Sequence, residues 1–131
     1  MRDELITYIK GLNLGRFTLS EEYPRNESAQ ELYLKNQRKL YVDAEQYTEE
    51  PLINTLGSLS IHSKTVSVTV YFSVDGKTVP NNYEALIDLL RAGKDIAPAT
   101  QGFQTRQVNV ETSYEQDLLV TEIEFQYTNV N

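Results

Sequence analysis

The sequence predicts an α+β fold: a mainly antiparallel sheet with two helices packed on one face, in the order helix, strands, helix, hairpin. Three observations predict it. Val66, Val68, Val70, Phe72 and Val74 alternate with Ser67, Thr69, Tyr71 and Ser73, the period of two of a half-buried strand rich in β-branched residues. Tyr83, Leu86, Ile87 and Leu90 instead take the spacing of one helical stripe. From Arg106 to Tyr127 two more alternating segments flank the turn Glu115-Gln116-Asp117. Hairpin links cannot supply the crossovers that a parallel sheet needs, so the sheet is read as antiparallel.

Taken in order, Leu5, Ile6, Ile9 and Leu12 form the buried stripe of a short first helix, with Asp3 as its N-cap and Gly11, Asn13 and Gly15 ending it. Arg16-Phe17-Thr18-Leu19 begins a strand. Ser20 to Gln30 is polar, contains Pro24 and has no period, which reads as a surface loop. Leu32-Tyr33-Leu34 and Leu40-Tyr41-Val42 alternate on either side of Asn36-Gln37, the outline of a hairpin. Pro51 bars a regular central strand at the start of Leu52 to Gly57, so 44–57 is expected to be irregular. Asp75-Gly76 turns the chain after the best strand. Asn81 stands three residues before Glu84, a capping-box spacing that starts a helix from about Asn82 to Ile96. Gly93 weakens its last turn by about 1 kcal/mol relative to Ala, leaving it to fray or to serve as a contact. In the closing hairpin Val108, Val110 and Tyr114 share a face, as do Leu119, Ile123, Phe125 and Tyr127. Asn109, Glu111, Ser113, Glu122, Glu124 and Gln126 occupy the opposite faces, so one side of the sheet is expected to be packed and the other wet or joined to another subunit.

Length and composition bound the function. A chain of 131 residues is the size of one domain, expected to span 1–131 with a polar loop at about 20–30. No apolar run approaches the roughly 18–20 residues that cross a bilayer, and the opening Met1-Arg2-Asp3-Glu4-Leu5 resembles neither a signal nor a transit peptide. A soluble, unexported protein is expected. Without cysteine there is no disulfide framework, thiolate nucleophile or sulfur-bound zinc. The formal charge of −7 opposes general nucleic-acid binding, which draws on Lys and Arg at phosphates. Arg16 and the group Lys35, Arg38 and Lys39 are local exceptions, read either as solvated charges at a turn or as contacts for an acidic partner.

The chemical inventory is thin, and no enzyme activity is expected. The single histidine, His62, has only Ser60 and Ser63 beside it as turn neighbours, and a nucleophile–base pair also needs an orienting acid. Glu111, Glu115 and Asp117 lie close in sequence, but Glu111 sits within a strand and the other two in its turn, where acids are common anyway. Glu122 and Glu124 share a strand face, either as a solvated acidic strip or as ligands for a divalent ion at a subunit junction; no calcium-loop spacing is present. The glycines form no phosphate-cradling motif, so no cofactor and no metal are expected. Nine tyrosines supply the rigid, amphipathic area that interfaces favour. Tyr71, on the polar face of the best strand, is a contact candidate or a cross-strand partner within the sheet.

Tyr41-Val42-Asp43, Glu50-Pro51-Leu52-Ile53, Val68-Thr69-Val70-Tyr71-Phe72, and Ser113 to Tyr127 around Leu118-Leu119-Val120-Thr121 lie in an order that resembles the tail terminator, or tail completion, proteins of long-tailed bacteriophages. The resemblance spans nearly the whole chain. It implies a structural protein of the virion, assembled in the host cytoplasm and placed at the head–tail neck. There it would form a homo-oligomeric, hexameric ring on the tail tube protein, stop tube polymerisation and offer a docking surface to a head-completion or connector protein. DNA would pass through a negatively charged lumen without specific binding, and no membrane is involved. The interface candidates come from the residues themselves: Arg16, Lys35, Arg38, Lys39, Tyr71, Gln116, Glu122 and Glu124. Another head–tail connector or the tube subunit is the near alternative, and a metal-dependent phosphodiesterase using the hairpin carboxylates is the distant one.

Overall fold

The computed structural model describes residues 1–15, 17–21, 39–54, 60–94, 102–115 and 117–130. Helix α1 (Arg2–Lys10) leads into β1 (Thr18–Ser20), β2 (Lys39–Val42), β3 (Gln46–Asn54) and β4 (Ser60–Asp75). Helix α2 (Tyr83–Arg91) then precedes β5 (Gln104–Glu115) and β6 (Leu118–Val130). The six strands form one sheet in the order β1-β2-β4-β6-β5, with β3 paired on β4 beside β2. Every pairing is antiparallel except β1 with β2, which is parallel. The α+β class and the mainly antiparallel sheet follow the sequence pattern, while β3 and the parallel pair depart from it.

One face of the sheet carries the core. Val66, Val68, Val70, Phe72 and Val74 of β4 and Leu119, Ile123, Phe125 and Tyr127 of β6 are buried together with Leu5, Ile6 and Ile9 of α1 and Leu86 and Leu90 of α2. Both described helices therefore cover this inner face, as their stripes require. The Tyr8 hydroxyl donates to the Leu89 carbonyl at 2.7 Å and ties the helices together. Gly93 packs closely against α1, because a Cβ there would lie 2.9 Å from Leu5 Cδ1 and 3.1 Å from Tyr8 Cδ1. It is a packing glycine that forms a contact. Thr121, the one polar side chain buried on this face among the described residues, bonds the Tyr83 hydroxyl, which satisfies both groups.

Several local expectations give way to tertiary contacts. Helix α1 begins one residue after Met1 and has no side-chain cap, so Asp3 lies in its first turn, where its charge suits the helix dipole. The early start lets Arg2 serve the sheet: its Nε and Nη2 donate to the carbonyls of Asp43 at 2.8 Å and Val42 at 3.0 Å. Val42 ends β2 and Asp43 follows it, so the guanidinium gives the carbonyls at the strand's end a charged donor. Helix α2 has Asn82 at its N-cap without a side-chain bond, so the Asn81–Glu84 capping box is not formed. The Pro80 carbonyl instead accepts from the Tyr83 N–H at 3.1 Å, and the helix starts from that turn. The α-helix ends at Arg91 and a short 3₁₀ turn carries 92–94.

Within the segment expected to be irregular, 46–54 forms strand β3, and 55–57 lies outside the described residues. Pro51 is tolerated because β3 pairs on one side only, among the described residues, and because the register shifts between Pro51 and Ile53. These are two of the settings in which a strand accepts proline. Strand β2 does not show the expected hairpin partner, whose 32–34 arm lies outside the described residues; it pairs with β4 and β1. The polar loop expected at 20–30 also falls almost wholly outside them.

Candidate interaction surface

The polar face of the sheet is broad because three long strands, β4, β5 and β6, lie side by side. Their outward residues come into register as Ser67↔Gln126, Thr69↔Glu124 and Tyr71↔Glu122 between β4 and β6. Gln107↔Gln126, Asn109↔Glu124 and Glu111↔Glu122 continue the rows into β5. Side-chain amides stitch them together. Gln107 Nε2 donates to Gln126 Oε1 at 3.0 Å, Gln126 Nε2 to Glu124 Oε1 at 2.7 Å, and Asn109 Nδ2 to the same Glu124 oxygen at 3.4 Å.

Two depressions shape this face. A trough of about 730 Å³ runs across β3, β4, β6 and β5, lined mainly by hydroxyl and amide side chains such as Thr48, Thr65, Ser67 and Gln126, with Glu50 and Arg106 also in its wall. A smaller recess of about 210 Å³ lies between Thr69, Tyr71, Asn109, Glu111, Glu122 and Glu124. Its acids are not equivalent. Glu122 sits directly across from Glu111, and burial, followed by the charges of Glu111 and Glu115, pushes its carboxyl above the usual range. Glu124 receives the amide bonds instead.

Of the residues singled out by sequence, Glu122, Glu124 and Tyr71 are brought together in the small recess. Tyr71 also packs on Leu118 and Val120, a second apolar cluster on the polar face, and stands opposite Tyr41 of β2. Tyr41, Ser73, Leu118 and Val120 are buried there, so this face is not polar throughout, contrary to its alternation. Lys39 is exposed at the start of β2, opposite Thr18 and away from the acids. Arg16, Lys35, Arg38 and Gln116 lie outside the described residues. Ser60, His62 and Ser63 lie within β4 rather than at a turn, with His62 opposite Pro51. Among the described residues no three His, Cys, Asp or Glu side chains are arranged to hold a metal ion, and no helix is long and apolar enough to cross a membrane.

Sequence reasoning missed the outer margin of β5. Val110 and Tyr114 were expected to pack, yet they are 36% and 68% exposed. The helices cover β4 and β6, and β5 lies beyond them at the end of the strand order. A signal for this was present: the inward positions of β5 include Thr112 among Val108, Val110 and Tyr114, whereas those of β6 present Leu119, Ile123, Phe125 and Tyr127 around Thr121.

No family model matches the sequence, and no curated protein matches it. Among solved structures, the chain shares its fold with a chain described as "Virion of native gene transfer agent (GTA) particle". The TM-score is 0.50 at 8% identity, over 100% of this chain and 95% of that one.

Proposed function

We propose that this chain is a virion structural protein that caps a phage tail tube as a ring, stops its polymerisation and provides the surface on which the head docks at the neck. The observation that carries the reading is the fold shared along its whole length with a chain from the virion of a gene transfer agent, a phage-like particle. The resemblance of its element order to tail terminator proteins adds the specific role. The surface is in keeping with it: a wide sheet face of hydroxyls, amides and carboxylates offers strand-borne contacts, and its acids would repel a nucleic-acid backbone passing nearby. In this reading the ring is a hexamer closed by a heterologous contact, its partners are the tube subunit and a head-completion protein, and no catalytic step is involved.

The experiment is to polymerise the tail tube protein from the same gene cluster with and without this chain and to image the products by electron microscopy. Tubes of limited length bearing a ring at one end are expected. Tubes whose lengths and ends ignore the added chain overturn the reading, and long tubes formed by this chain alone make it the tube subunit instead.

A further inference from the structure

The two margins of the sheet are built differently. On one side the edge is broken among β1, three residues long, β2, and β3 with its Glu49-Glu50-Pro51 run and register shift. Short strands, charge, proline and bulges are the devices that keep an edge from pairing with another chain. On the other side β5 pairs only with β6 among the described residues, and its one irregularity is confined to Thr105/Gln107. From Gln107 to Glu115 it is regular and contains neither proline nor lysine. Its exposed apolar residues, Val110 and Tyr114, stand on the side of the core.

We propose that β5 is closed by a second copy of this chain, the two β5 edges pairing antiparallel about a two-fold axis at Thr112. Face and charge select the register. A continuous sheet must set inward residues against inward residues, which leaves registers centred on a residue. Centring on Glu111 opposes two carboxylates, and centring on Val110 sets Tyr114 against Arg106, within the irregular stretch. Centring on Thr112 avoids both. It sets Val110 against the partner's Tyr114, Glu111 against the partner's Ser113 and Asn109 against the partner's Glu115, each twice. An aromatic with a β-branched residue, threonine with threonine, and hydrogen-bonding polar pairs are the favourable cross-strand combinations. The exposed tyrosine and valine thus cover each other.

A two-fold contact does not propagate around a ring, so the pairing belongs to the free chain and is independent of the tube-capping reading. Failure of tube capping leaves it standing, and a chain that never pairs leaves the ring in place. With no native cysteine, trapping is clean. Directly opposed residues have Cβ atoms about 4.5–5.5 Å apart, close enough for a disulfide after a small adjustment. Thr112→Cys is expected to give disulfide-linked dimers under mild oxidation, faster at higher protein concentration. Glu111→Cys and Ser113→Cys are expected to link when mixed and not singly. In sedimentation equilibrium, Ser113→Lys should tighten the dimer and Ser113→Glu loosen it, while Tyr114→Ala should weaken it by about 2- to 30-fold, twice the pair contribution. A Thr112→Cys chain that stays monomeric while folded, equal linking of Ser113→Cys alone, or Ser113 variants without opposite effects overturns the proposal.

Discussion

Strands β5 and β6 are the two arms of one hairpin, paired from Glu115↔Leu118 to Gln104↔Thr128, yet they lead opposite lives. The inward residues of β6 from Leu119 to Tyr127 are all buried, with Ile123 and Phe125 at zero exposure. Their neighbours across the ladder, Val110 and Tyr114, face solvent on the same side. Both arms alternate, and alternation reports only which residues share a face. Whether that face is covered depends on where the strand falls in the sheet order and how far the helices reach. That information lies in long-range contacts.

The two arms should differ most when a large side chain is truncated on each. Phe125→Ala removes a fully buried ring and is expected to cost about 3–5 kcal/mol. Val110→Ala, in the dilute monomer, should cost about 1 kcal/mol or less, since little of its contact surface is lost. Urea unfolding of the two variants, read at the midpoint with the slope unchanged, measures the difference. Comparable losses would mean that the inward side of β5 is packed as tightly as that of β6.

How much of the fold was legible follows from the range of the forces involved. The alternation of β4, the stripe of α2 and the hairpin could be read because each depends on neighbours a few residues apart. Strand β3 could not, because Pro51 within a strand is acceptable only at a sheet margin or an irregularity in the pairing, and both are set by how all the strands come together. The start of α1 depends on Arg2 reaching Val42 and Asp43, some 40 residues away, and no local cap announces that. For the surface, the recess at Tyr71, Glu122 and Glu124 was half visible: the alternation placed all three outward, but only the β4↔β6 register set Tyr71 beside Glu122.

At the covered face, Gly93 packs against Leu5 and Tyr8 of α1. Gly93→Ala places its Cβ 2.9 Å from Leu5 Cδ1, and the cost of shifting Leu5 and Tyr8 competes with the gain from a less flexible unfolded chain, about 0.4–1 kcal/mol. Overpacking at such a contact costs typically 1–3 kcal/mol, so a net loss of about 1 kcal/mol is expected. Gly93→Ala in a Leu5→Ala background should recover part of it, a coupling that a double-mutant cycle reads directly. Independent effects would show that the helices do not press on each other at this point.

The smallest expected effect lies on the polar face, where the buried arm and the exposed arm meet as Glu122 against Glu111. The folded protein holds the Glu122 carboxyl above its ordinary value, so the native state binds its proton more tightly than the unfolded chain does. The stability it contributes is present in acid and is lost as pH rises from the ordinary carboxylate value through the raised one. Glu122→Gln should therefore stabilise the protein at neutral pH, by about 0.2–1 kcal/mol for a like-charge pair directly opposed, with the gain vanishing in acid. Burial is the larger cause and Glu111 the lesser, so Glu111→Gln should lower the Glu122 titration midpoint in NMR only part of the way. Full return to the ordinary value would make the charge on β5, not the burial of β6, the source of the shift.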